Sequence, residues 1–278
     1  MNRVEIIKAS GEKDTFKIEK LTASLRKAGA SSSLAGEIAQ SINKTIYDGL
    51  STKEIYKQAF ALLRKQSRPT AARYKLKKAI MELGDTGYPF EKFVGALLNA
   101  EDFDTQVGVI VQGQCVTHEV DVIALKDKLH YMCECKFHNR QGRQCNVKIP
   151  LYINSRFKDV EAQWQKLSEH GTKFHQGWIF TNTRFTSDAE QYAECIGLQL
   201  ISWNYPEGNS LKDRIDKTGV HPITCLTSLT KNEKRKLIDV DIITCKALCN
   251  NENVLDKLSL TKTKRNRVMN EARAICKK

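Results

Sequence analysis

The chain has 278 residues, 41 % of them hydrophobic and 28 % charged, with a formal net charge of +13. That length suits two or three small domains with real cores, and the absence of any apolar run of 18 residues or more excludes a membrane-spanning helix. The charge is uneven, at +8 over residues 1–85, −3 over 86–216 and +8 over 217–278; basic ends around an acidic middle suit carboxylates gathered at a metal between regions that attract phosphate. The nine cysteines lack CxxC spacing, so they read as reduced core thiols rather than zinc ligands or disulfides. Met1-Asn2-Arg3 runs into a strand without a signal-peptide apolar stretch, and a cytoplasmic location is the expectation.

In chain order, Val4 to Lys8 reads as a strand, Ser10-Gly11 as a turn, and Thr15-Phe16 as the return into a helix near Lys20-Leu21. Helical periodicity follows over about 34–47, 53–66 and 70–83, with Ser51 and Glu54 forming a capping-box pair. A small hairpin on four helices, with Val4, Lys8, Gly11, Phe16, Lys20 and Thr52 in this order, resembles the ATP-cone, a regulatory nucleotide-binding module. That resemblance implies nucleotide binding by Lys8, Gly11, Phe16, Lys20 and Thr52, with ATP or dATP as a regulatory ligand. Ammonium groups and an open helix N-terminus both suit a polyanion. Ala9 departs from the family, which often carries Arg there, and Asp14 stands where an acidic residue is common. No Gly-rich loop ending in Gly-Lys-Ser/Thr is present, so sensing is expected rather than ATP-driven motion.

Gly84-Asp85-Thr86-Gly87-Tyr88-Pro89 punctuates a change of pattern and marks a short link. Pro89 to Ala100 then reads as a helix, with Phe90, Phe93, Val94, Leu97 and Leu98 on one stripe and Glu91 in its first turn. A strand at Val107–Val111 precedes a hairpin carrying His118-Glu119-Val120-Asp121 on one arm and Cys133-Glu134-Cys135-Lys136 on the other, around a Lys126-Asp127-Lys128 turn. Strand residues alternate faces, so Glu134 and Lys136 share one face and Cys133 and Cys135 the other. An apolar face is expected in a core, leaving the carboxylate–lysine face to solvent or to a site. Two or three carboxylates beside a lysine are what metal-assisted phosphodiester hydrolysis needs. A solvated cross-strand ion pair is the plain alternative.

This order, continued by Trp178-Ile179-Phe180-Thr181-Asn182, a helix capped by Ser187 and Glu190, and a last strand at Leu198–Trp203, resembles the restriction-endonuclease-like superfamily with its PD-(D/E)xK site, closest to the Mrr-type branch. The resemblance covers about residues 86–205. It implies that Asp121 and Glu134 hold Mg²⁺ (or Mn²⁺), that Lys136 orients or activates water, and that Glu91 adds a carboxylate. The glycines that often precede the catalytic Asp are replaced by His118-Glu119-Val120, which leaves Glu119 as a further carboxylate or as a salt-bridge partner. His118 and His138 flank the site.

The stretch Trp203–Ser210 is turn-rich, residues 211–217 could cap the nuclease, and the remainder is a chain of short helices resembling a helix-hairpin-helix module, without the usual glycine in Leu258–Lys262. DNA contact, packing and dimerisation all stay open for it. The expected fold class is therefore a multidomain mixture of α+β and α/β: a hairpin-and-bundle ATP-cone over 1–85, a mixed-sheet restriction-endonuclease-like α/β domain over 86–217, and a small all-α module over 218–278. The expected function is a Mg²⁺-dependent DNA endonuclease gated by ATP or dATP, with DNA as partner, no membrane, and self-association open. The alternative is a catalytically inactive, nucleotide-responsive DNA-binding or regulatory protein.

Overall fold

The computed structural model describes residues 4–8, 11–140, 142–166 and 174–277. Met1 to Arg3, Ala9 and Ser10, named above, lie outside them. The chain forms two compact units, Met1–Ala79 with His221–Lys278, and Ile80–Val220.

In the first unit, β1 (Glu5–Ile7) and β2 (Lys13–Thr15) pair antiparallel. Gly11, at φ +88°, takes the left-handed turn position that a side chain would strain. Helices α1 (Ile18–Lys27) and α2 (Ser32–Asn43) follow. The two-residue strand β3 (Leu50–Ser51) pairs parallel to β1 before α3 (Thr52–Gln66). Ser51 caps α3 by accepting the Glu54 N–H and also donates to the Glu54 carboxylate. The helix expected over 70–83 is two, α4 (Arg68–Tyr74) and α5 (Leu76–Met81), interrupted at Lys75. Leu25, Ala35, Ile42, Ala59 and Leu63 form the core.

The second unit begins with α6 (Tyr88–Asn99), whose stripe Phe90, Phe93, Val94, Leu97 and Leu98 is fully buried, as its spacing implies. A five-stranded mixed sheet follows, containing β4 (Asp104–Gln112), β5 (Thr117–Lys126) and β6 (Leu129–Lys136) as an antiparallel meander. Asp127 and Lys128 both take positive φ at the β5–β6 turn, which matches the twist of the strands it joins. The short strand β7 (Gln144–Cys145) and the long helix α7 (Lys148–Trp164) lead to β8 (Phe174–Thr181), which lies parallel to β6. Then come β9 (Arg184–Phe185), paired with β7, helix α8 (Ser187–Ile196) and β10 (Gln199–Ile201), giving the order β10-β8-β6-β5-β4. Thr186, not Ser187, caps α8, accepting the Ala189 N–H; the extended backbone of Thr186 aims its hydroxyl at the open turn, whereas Ser187 is already helical.

Both faces of β6 are covered. Phe157, Val160 and Trp164 of α7 pack with Met132 and Ile123, so the Met132–Glu134 face, expected to meet solvent or a site, lies under a helix. Helix α9 (Leu211–Thr218) closes this unit, with Arg214 paired to Glu101 at 2.7 Å and stacked on Trp178.

The chain then returns to the first unit through α10 (Lys231–Ile238), α11 (Cys245–Asn250) and α12 (Lys262–Cys276). Arg73 of α4 donates to the carbonyls of Ala274 and Lys277 at the end of α12, at 2.9 and 3.0 Å. A cation suits this negative end of a helix. The Thr224 hydroxyl donates to the Ala79 carbonyl at 2.6 Å. Part of the basic run near the terminus is spent internally, Lys264 on Glu233, Arg265 on Asp256 and Arg273 on Glu252. Ser259 takes the left-handed position, φ +49°, in the segment that lacks glycine. Among the described residues no helix is long and apolar enough to cross a membrane.

Candidate active site

Asp121 on β5 and Glu134 on β6 occupy the next opposed positions beyond the last paired residues, Val122 and Cys133. The ladder opens there, and the Cys135 N–H donates to Asp121 Oδ2 at 2.7 Å. On its other side, β4 pairs through Val107 and Val109 but not through Gly108, which faces Asp121 with φ +67°. A glycine inside a strand permits such a local departure. Asp121 thus stands at a break in pairing on both flanks.

Glu134 is 3 % exposed and spends both oxygens on cations: Lys136 Nζ lies 2.6 Å from Oε1 and Arg156 Nη1 2.8 Å from Oε2. Arg156 also donates to the Glu119 carbonyl. Its helix is held over the hairpin by Asp159, which accepts from the N–H groups of Cys115 and Val116 and from His118 at 2.8 Å.

The electrostatics tie in Glu91 from the first turn of α6. Burial, then the charges of Asp121, Glu119 and Glu134, push its carboxyl up to about 7. Burial and the neighbouring Glu134 raise Asp121 to about 6, against the lowering pull of the Cys135 N–H and Lys136. Burial would lower the Lys136 ammonium, but Glu134 and Asp121 outweigh it and hold it above the usual lysine range. The four predicted residues, Glu91, Asp121, Glu134 and Lys136, therefore share one electrostatic site. Glu119 is exposed beside them.

Among the described residues no three His, Cys, Asp or Glu side chains stand close enough to share an ion; Glu134 has turned to its cations. The donor chemistry nevertheless fits a hard dication. Carboxylates that raise one another's pKa are relieved by added positive charge, and oxygen ligands suit Mg²⁺ or Mn²⁺.

Arg156 was not singled out from sequence. The signal was there in part: Ile149, Ile153, Phe157, Val160 and Trp164 recur at helical spacing. His138 sits past Lys136, its backbone N–H and C=O both held by Asn182, at 2.9 and 2.7 Å.

In the first unit, Asp14 lies between the two predicted nucleotide lysines, 3.4 Å from Lys8 and 3.5 Å from Lys20. The β1–β3 register aligns Ile7 with Ser51, so Lys8 and Thr52 are the next residues along neighbouring strands. Phe16 packs against the core of this unit. A separate groove of about 330 Å³ between α1 and α2, lined among others by Ile18, Thr22, Arg26 and Gln40, includes none of the five predicted nucleotide residues.

Comparison with known proteins follows this architecture. Family models for the ATP cone domain, a restriction endonuclease (Mrr-type catalytic domain) and the AF1548-like C-terminal domain match residues 4–80, 85–205 and 221–276. An uncharacterized protein of Archaeoglobus fulgidus is 37 % identical over 180 residues, 64 % of this chain and 97 % of that protein. A crystal structure titled as the protein of unknown function AF1548 aligns at 35 % identity with a TM-score of 0.56, covering 69 % of this chain and 98 % of that one. This chain belongs to the AF1548-like family and joins an ATP-cone, an Mrr-type restriction-endonuclease domain and the AF1548-like C-terminal domain.

Proposed function

We propose that the protein is a divalent-metal-dependent endonuclease that hydrolyses DNA phosphodiester bonds under control of ATP or dATP bound to its ATP-cone. The observation that carries this reading is the cluster of Asp121, Glu134 and Lys136 on adjacent strands with Glu91 beside it. Asp121 and Glu134 would hold the metal, which when bound supplies Lewis-acid stabilisation and lowers the pKa of a bound water. Lys136 orients that water through its ammonium and offsets charge building on the phosphate. Glu91 would supply a further carboxylate at the same site. In the other unit, Lys8 and Lys20 would exchange Asp14 for nucleotide phosphates, with Thr52 in the first turn of α3 beside its Ser51 cap.

A second reading has one observation in its favour. Glu134 is fully engaged by Lys136 and Arg156, an arrangement that also suits a nucleotide-responsive DNA-binding protein without catalysis. Single-turnover cleavage of a labelled duplex in Mg²⁺ or Mn²⁺, titrated with ATP and dATP, separates the two. Metal-dependent product whose rate changes with nucleotide supports the regulated nuclease. DNA retention without product supports the second reading. Gating requires different nucleotide affinity in two states, so a cleavage rate constant from zero to saturating nucleotide would remove regulation and leave the nuclease.

A further inference from the structure

A polar cleft of about 350 Å³ adjoins the carboxylate cluster, between the turn entering α6 (Asp85, Thr86, Gly87) and the segment leaving β6 (Phe137, His138, Asn139, Arg140, Arg143). It is continuous with the site on both walls. Phe137 directly follows Lys136, and a Cβ added at Gly87 would stand 3.1 Å from Glu91 Oε1.

The wall beyond Lys136 is fixed rather than free. Asn182, 1 % exposed, clamps His138 by accepting its N–H and donating to its carbonyl. The His138 ring meets Cys145 Sγ at 3.3 Å, and the Phe137 ring packs on Phe90 with centroids 5.7 Å apart. On this support Arg140 and Arg143 are exposed, and neither forms an ion pair among the described residues. Asp85 on the opposite wall already has an interaction partner. Burial and the charges of Arg143 and Lys136 hold the His138 imidazole below its usual range and hence neutral near pH 7.

Arginines that form no ion pair among the described residues, beside a clamped wall next to an acidic cluster, address a specific problem. Residues 86–216 carry net charge −3, so a polyanion reaching Asp121 and Glu134 needs local compensation close to them. Guanidinium groups match phosphate oxygens in a two-pronged geometry. We propose that this cleft seats a DNA backbone phosphate adjacent to the one presented to the carboxylates, with Arg140 and Arg143 as its positioning residues. The proposal rests on the nuclease reading for which strand lies there, but binding tests it without catalysis.

The test is fluorescence anisotropy of the full chain with a labelled duplex of about 20 base pairs, in EDTA, over a series of NaCl concentrations. Loss of one phosphate contact lowers the slope of log affinity against log salt by about 0.9. The Arg140→Ala/Arg143→Ala variant should show a slope shallower by about 1 to 2 and weaker binding at low salt. Arg143→Lys in the Arg140→Ala background should recover part of the slope. Lys128→Ala, at the opposite end of β6, should recover nothing and change little. An unchanged slope in a double variant with wild-type circular dichroism overturns the proposal. Cleavage measured in parallel keeps the two ideas apart: wild-type cleavage with an unchanged slope sinks the cleft alone, whereas a reduced slope with no cleavage by wild type sinks the nuclease and keeps the cleft.

Discussion

Arg156 of α7 reaches across to Glu134 on β6 and, with Lys136, leaves neither carboxylate oxygen of that buried side chain without a cation. Positive charge held by the protein stands where the proposed metal would act. Arg156 therefore compensates the Glu134 charge and would compete with the proposed metal for that carboxylate.

Removing one partner of a buried ion pair is costly because a desolvated charge is left behind. With Lys136 still in place, Arg156→Met should destabilise the metal-free protein by about 1–3 kcal/mol. It should also strengthen divalent-ion binding, since a competing cation is gone. Thermal unfolding with and without Mg²⁺ checks both: a lower midpoint in EDTA and a larger upward shift on adding Mg²⁺ than wild type shows. A variant with the wild-type midpoint and the wild-type shift would contradict this role.

The raised carboxyls make stability fall with pH. Asp121 moves from 3.8 to about 6 and Glu91 from 4.5 to about 7 on folding. The folded state thus binds these protons more tightly, and the stabilisation they contribute is fully present below about pH 4 and is lost as pH rises to about 7. Asp121→Asn removes one such cost, worth on the order of 1–3 kcal/mol at 1.36 kcal/mol per pKa unit. Urea unfolding in EDTA should find the variant more stable than wild type at pH 8 and no more stable at pH 4. The opposite ordering would mean that burial and the neighbouring Glu134 do not raise the Asp121 carboxyl in the folded chain.

Lys136→Met separates metal holding from hydrolysis. The variant should keep a Mg²⁺-dependent rise in melting temperature, because Asp121 and Glu134 remain, while cleavage falls by about 100-fold or more, the loss typical of one preorganised electrostatic group. Cleavage within a few-fold of wild type would remove Lys136 from the chemistry.

Lys8→Ala should weaken ATP and dATP binding by about tenfold, the scale of one charge-assisted phosphate contact, and leave nucleotide-free cleavage unchanged. Titration calorimetry and a parallel cleavage assay measure the two. Equal losses in both would contradict separate sites.

The parts of this site carried by local pattern were legible in the sequence. The α6 stripe from Phe90 to Leu98 is buried as its spacing implies, and strict alternation along β6 put Glu134 and Lys136 on one face. What could not be read depends on packing between distant segments. The helical spacing of Ile153, Phe157 and Val160 indicates a helix, but only its seat over Met132 and Ile123 selects Arg156 to meet Glu134. Strand β3 has two residues, too few for any period, and exists because β1 pairs with it. Ser187 and Thr186 are both competent caps; backbone geometry at the end of β9 decides for Thr186.

Whether Asp121 and Glu134 serve metal-dependent DNA hydrolysis is decided by comparing wild type with Asp121→Ala on supercoiled plasmid in Mg²⁺ and in EDTA. Wild type should nick or linearise the plasmid in Mg²⁺ and not in EDTA, and a variant that unfolds as cooperatively as wild type should do neither. No cleavage by wild type in Mg²⁺ or Mn²⁺, or equal cleavage by Asp121→Ala, would contradict that role.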